Sequence, residues 1–166
     1  MIGFSKQRWD RAHERVVRSS FASVPFYRER WALVTGDPAG VAELEQRRDD
    51  LVPIGGTPRF DPRRGLDRLL RRVDHTGAAW SARDPLPAGA TAGSTIRDGL
   101  LGDLAVLRDC GHWHLDWRRI YARNTPRGVA FTLLRQQSPR LVDVVVAPGP
   151  LRVMICPRHH SPGVTA

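Results

Sequence analysis

The runs HWHLDWRRIYAR (112–123), VAFTLLR (129–135), LVDVVVA (141–147) and LRVMIC (151–156) decide how this chain is read. Each is rich in β-branched and aromatic side chains, which suit a pleated and half-buried surface, so each predicts a short strand. The breaks between them are Thr125-Pro126-Arg127-Gly128, Ser138-Pro139 and Pro148-Gly149-Pro150. These are too short for crossover connections and favour antiparallel neighbours. The C-terminal part therefore predicts an antiparallel β-meander of about four strands.

Upstream the period changes. Trp9, Ala12, Val16, Val17 and Phe21 recur at three-to-four spacing between Ser5 and Ser23, which stacks them on one face of a helix. Pro25 ends that helix and opens a short helical turn through Phe26, Tyr27 and Trp31. Asp37 is placed to cap a brief helix around Val41 to Gln46. Asp61-Pro62 reads as the cap and first residue of a further helix with Leu66, Leu69, Leu70 and Val73 on one face. Alanine, glycine and proline fill the chain from Trp80 to Thr95 with neither period, as in a linker. The expected architecture is α+β in a single domain: a helical part over 1–78, a linker over 79–98 and a β-rich part over 99–166.

Length and composition agree with a folded protein of one core. The chain has 166 residues, 41% hydrophobic and 26% charged, which excludes disordered and fibrous classes. No run approaches 18 apolar residues, so no membrane-spanning helix is expected. Met1 to Asp10 lacks the apolar core of a secretory signal, and a cytoplasmic location with no membrane partner is expected. The formal charge of +9 invites a phosphate-rich partner. Against that, all basic residues but Lys6 are arginines, a coding bias of GC-rich bacterial genomes, and they are interspersed with acids, as in Arg28-Glu29-Arg30 and Asp67-Arg68. A nucleic-acid footprint is usually concentrated on one face.

Two short clusters hold both cysteines and four of the histidines. They are Cys110-Gly111-His112-Trp113-His114 and Cys156-Pro157-Arg158-His159-His160. Thiolate and imidazole are the ligands zinc prefers, and two ligand pairs from separate turns make a common tetrahedral structural site. In a reducing compartment free thiols or metal ligands are favoured over a disulfide. The alternative is that Cys110 is a small buried hydrophobe, that His112, His114, Asp116 and Arg118 form the polar face of a strand, and that His159 and His160 lie in a frayed tail. A Cys110 nucleophile beside His112 or His114 is a weaker alternative, since such pairs are set by space and not by adjacency. Trp113, Trp117 and Tyr121 fit a protein core, an acyl pocket or a base-stacking surface.

Two segments carry a resemblance. Val24-Pro25-Phe26-Tyr27-Arg28-Glu29-Arg30-Trp31, after an arginine-rich helix, resembles the N-terminal signature of the phenylacetate-CoA ligase branch of the adenylate-forming (AMP-binding) enzymes. Gly128 to Arg135 followed by Ser138-Pro139-Arg140-Leu141-Val142 is similar to two consecutive strands of the same family. The resemblance implies a Ser/Thr/Gly-rich phosphate loop, a ribose-binding aspartate and a C-terminal catalytic lysine. The nearest string to the loop, Ala88 to Thr95, reads as linker; Asp143 is the only acid near the aspartate position; no lysine follows Lys6. Binding of ATP and CoA is therefore not expected, and no catalytic residue is assigned. Relatives also carry a cysteine before a strand and a Cys-rich turn later in the chain, which implies a metal site at Cys110, His114 and Cys156. His159 stands in for the family's second downstream cysteine, with His112 and His160 as the other candidates.

The expectation is thus a shortened ligase-like pseudoenzyme, an accessory to carboxylic-acid (acyl or aryl) activation that depends on a full-length ligase or a carrier protein as partner. Phe26, Trp31 and Trp80 are the apolar positions such a partner would cover. The alternatives are a small zinc-stabilised, arginine-rich module that binds nucleic acid, and a protein with residual acyl- or aryl-CoA ligase activity.

Overall fold

Residues 6–23 contain neither glycine nor proline, and Ser5 immediately precedes them. In the computed structural model they form helix α1 (Lys6–Ser23). The Ser5 hydroxyl accepts from the Arg8 amide at 3.5 Å and the Ser5 carbonyl from the Trp9 amide at 3.0 Å, the arrangement of a helix N-cap. Trp9, His13, Val16, Val17 and Ser20 are buried. The expected apolar stripe is thus kept at Trp9, Val16 and Val17, while His13 and Ser20 replace Ala12 and Phe21 as its fully buried members. The structure describes residues 3–23, 27, 46–47, 79–82, 85–98, 101–126, 128–135, 141–145 and 151–166.

Ten strands follow the helix among the described residues: β1 (Gln46–Arg47), β2 (Ala79–Ser81), β3 (Thr95–Asp98), β4 (Gly102–Leu107), β5 (Trp113–Leu115), β6 (Ile120–Thr125), β7 (Gly128–Leu133), β8 (Val144–Val145), β9 (Arg152–Ile155) and β10 (Pro162–Thr165). They form two sheets. The first has the order β1-β8-β7-β6, and the second β2-β3-β4-β5-β10-β9. All neighbours are antiparallel except β1 with β8 and β2 with β3, which are parallel. The α+β class and the meander hold, with β6-β7-β8 and β3-β4-β5 each running consecutively.

Several boundaries differ from expectation, each for a local reason. The run 112–123 is not one strand: Asp116 turns the chain by accepting from the Arg119 and Ile120 amides at 2.9 and 2.8 Å. That turn puts β5 and β6 in different sheets. Within the described part of the expected strand 141–147, residues 141–145, only β8 is extended, because Asp143 takes a positive φ of 49° that interrupts extended backbone; 146–147 lie outside the described residues. Strands β2 and β3 lie within the stretch read as linker, and β10 lies in the tail beyond Cys156. Short strands such as Ala79–Ser81 carry too few side chains to show a period. Gln46, the last residue of the second expected helix, instead begins β1. The expected helix from Asp61 and most of the 24–45 stretch fall outside the described residues.

Between the helix and the sheets sits a core that includes Trp9, Ile96, Leu104, Leu115, Ile120, Phe131 and Leu133. The Trp9 indole N–H donates to the Ile120 carbonyl at 2.9 Å, which ties α1 to the start of β6. Phe4 meets the edges of Trp9 and Trp117, and Tyr121 lies against Trp9 at 4.5 Å between centroids. Trp113 is buried in the same core. The three aromatics weighed as a pocket or stacking surface are thus packing residues. Trp80, on the edge strand β2, remains 37% exposed, while Phe26 and Trp31 lie outside the described residues. No helix among the described residues is long and apolar enough to cross a membrane.

Candidate metal centre

Two turns and one strand bring Cys110, His114, Cys156 and His159 together. The first turn joins β4 to β5: the Arg108 amide donates to the His112 carbonyl at 3.1 Å and the Gly111 amide to the Arg108 carbonyl at 2.9 Å. Gly111 completes it with φ +76°, a left-handed value that glycine takes without steric cost. The second turn joins β9 to β10, closed by the Cys156 amide on the Ser161 carbonyl (2.9 Å) and the His160 amide on the Cys156 carbonyl (2.8 Å). His114 comes from the middle of β5, directly opposite Gly163 of β10. A Cβ on Gly163 would run into the Trp113 carbonyl oxygen, so the close seating of β10 on β5 requires glycine there.

One ligand atom from each of the four side chains lies within 4.8 Å of all the others. Cys110 Sγ is 3.1 Å from His114 Nε2 and 3.9 Å from Cys156 Sγ, and Cys156 Sγ is 3.6 Å from His159 Nδ1. Metal–sulfur bonds of about 2.3 Å and metal–nitrogen bonds of about 2.0 Å in a tetrahedron imply ligand–ligand edges of roughly 3.3–3.8 Å. The three contacts through sulfur, 3.1–3.9 Å, are close to that size and no two ligand atoms are more than 4.8 Å apart, so this Cys2His2 group can hold a metal ion.

The surroundings favour the ligating forms. Ser161 Oγ sits 3.0 Å from His114 Nδ1, which fixes the ring and leaves Nε2 turned to the cluster, as an outer-shell partner does in metal sites. Burial, reinforced by the charges of Arg108, His159 and His112, lowers the His114 pKa to about 4, so its lone pair is free at neutral pH. Burial pushes the Cys156 thiol up, but the backbone N–H groups of His159 and Arg158, with Cys110 and the Arg108 charge, more than offset it and leave its pKa below the ordinary thiol value.

The polar-strand alternative does not describe His114, which is only 3% exposed between two other buried residues of β5. Nor is the tail frayed: β10 pairs on both sides, with β5 and with β9. His112 and His160 stand outside the group. His112 Nδ1 donates to the Cys110 carbonyl at 2.9 Å, and His160 adopts a left-handed φ of 48° within the second turn.

The adenylation features weighed in the sequence take other roles. Asp143 is fully buried, and its carboxylate accepts from Arg123 Nε and Nη2 (3.3 Å each) and from Thr132 Oγ1 (3.2 Å), with His13 Nε2 at 3.1 Å. The Asp143 amide returns to Thr132 Oγ1 at 2.8 Å. Every side of that carboxylate is engaged within the fold. In the string 88–95, the Gly93 amide donates to the Leu107 carbonyl and the Ser94 amide to the Thr91 carbonyl. Those two N–H groups are engaged within the fold.

Sequence reasoning missed His13, Ser161 and Arg108. His13 had a readable signal, since it lies four residues after Trp9 on the buried face. Ser161 had none, because nothing in its neighbours points to a histidine 47 residues away. Comparison with family models, with curated proteins and with solved structures gives no match to this chain.

Proposed function

We propose that Cys110, His114, Cys156 and His159 hold one structural zinc ion, and that the protein is a zinc-clipped α+β domain serving as a non-catalytic, partner-dependent accessory to carboxylic-acid activation. The observation that carries the metal reading is the convergence of four lone-pair donors on one centre with no cation among them. A divalent ion with two thiolates and two neutral imidazoles is neutral in net charge and uses all four lone pairs. Closed four-ligand coordination leaves no open position for water, so the ion would be structural. The accessory role rests on the resemblance of 24–31 and 128–142 to the phenylacetate-CoA ligase branch, and the partner would be a full-length ligase or a carrier protein.

Elemental analysis of purified protein, with thermal melts with and without a chelator, tests the metal. About one zinc per chain and a large chelator-induced drop in Tm are expected, because binding free energy at such a site is folding free energy. Absence of metal together with an unchanged melt would sink the zinc assignment. Cross-linked pull-down from the native host tests the role: recovery of a ligase or carrier protein is expected, and a monomer with neither argues against it.

A further inference from the structure

Beside the Cys/His cluster lies an open cleft of about 330 Å³ lined by Ala92, Gly93, Leu107, Arg108, Asp109, Arg158 and His159. Its walls come from the same two turns that present the metal ligands. The lining is mainly polar, with Leu107 as its one large apolar side chain. Arg97, Arg119 and Arg123 are each paired with an acid. Arg108 and Arg158 have no carboxylate within ion-pair distance among the described residues, and both are exposed. Asp109 is the one acid on the wall, so the two guanidiniums leave the cleft positive.

We infer that this cleft binds a phosphate group, held between the Arg108 and Arg158 guanidiniums. A guanidinium presents two parallel N–H donors that match phosphate oxygens, and two arginines among the residues lining one cleft suit a dianion with several acceptor oxygens better than a single carboxylate. A volume of about 330 Å³ is at the lower end of small-ligand pockets and exceeds what a bare phosphate fills, leaving room for an organic group over Leu107. His159, whose Nδ1 lies 3.6 Å from Cys156 Sγ, also lines the cleft. The Gly93 amide on the wall is spent on the Leu107 carbonyl. The site deepens the metal reading, since an ion across the two turns would fix the spacing of the two arginines.

The test is an amide-resolved NMR titration of the protein as purified, at constant ionic strength, with inorganic phosphate, phenyl phosphate and oligothymidylate as probes and chloride as control. Metal content is measured on each sample. Shifts confined to residues 92–93, 107–109 and 158–159 are expected, with R108A and R158A each weakening binding about tenfold, the loss of a charge-assisted hydrogen bond. D109N should tighten it about threefold. Tightest binding by phenyl phosphate identifies a small phosphomonoester as the source, and tightest binding by oligothymidylate a nucleic-acid backbone, provided each depends on both arginines. No shifts beyond chloride, or unchanged affinity in the double variant with an unaltered melt, overturns the inference. Phosphate binding by metal-free protein breaks the zinc reading and keeps the cleft, whereas metal-loaded protein without phosphate binding does the reverse.

Discussion

Two polar clusters sit on this molecule, one buried around Asp143 and one that runs from buried His114 and Cys156 to exposed His159, and they are built on opposite principles. Around Asp143 a carboxylate is ringed by donors from three elements: His13 of α1, Arg123 of β6 and Thr132 of β7. Charge is balanced within the protein and the hydrogen bonds close on themselves. Around Cys110 and Cys156 four Lewis bases, with the Arg108 charge nearby, face one another in an arrangement that could hold a metal ion. A polar cluster that mixes donors and acceptors reads as architecture; one made only of metal-ligating side chains reads as a candidate binding site.

The largest effect separating the two is metal removal. Chelation, or C156S, should lower Tm by more than about 10 °C, the scale of a lost structural ion in a domain of this size, with no change in near-ultraviolet signals from Trp9 and Tyr121. Next is D143A, which strands Arg123 without its acid and should cost about 3–5 kcal/mol in denaturant unfolding. Its metal content should stay at the wild-type value; a fall would break the claim that the clusters are independent. G163A, which pushes β10 off the Trp113 carbonyl, should cost about 1–3 kcal/mol and speed metal loss to a competing chelator. T132V removes both the donor to Asp143 and the acceptor for its amide, for about 1–3 kcal/mol with metal retention unchanged.

The smallest effect is a pH slope. Burial, with Asp10 beside the hydroxyl, raises the Tyr121 pKa above its ordinary value of 10.0. The unfolded chain then loses this proton first, so from about pH 10 upward the folded state binds more protons and stability falls as pH rises. Y121F should flatten that alkaline limb without altering stability at neutral pH by more than the lost Asp10 hydrogen bond, about 1 kcal/mol.

How much of this was legible in the sequence follows from range. Helix α1 was readable because its period and its cap are local. The runs of β7 and β9 were readable because their side chains are strongly biased. The split of 112–123 was not, because Asp116 looks like one polar position of an alternating strand until its carbonyl is seen to close a turn. The metal cluster was legible in composition, with both cysteines beside histidines. The choice of His114 and His159 over His112 and His160 came with the family resemblance. In the structure that choice turns on Ser161 and on the second turn, which no spacing rule contains. Asp143 was noticed for its place in an apolar strand, and its partners His13 and Arg123 lie 130 and 20 residues away.

The spacing of the four ligands has a kinetic meaning. Cys110 and His114 are four residues apart, and Cys156 and His159 three, whereas Cys110 and Cys156 are 46 apart, with all of β6, β7, β8 and β9 between the two pairs. Each half can meet an ion in an unstructured chain, but the full set assembles only after that long segment has closed. The complete clip then belongs to the late part of folding, and an ion that grips only the finished arrangement slows escape from the native state more than it hastens arrival.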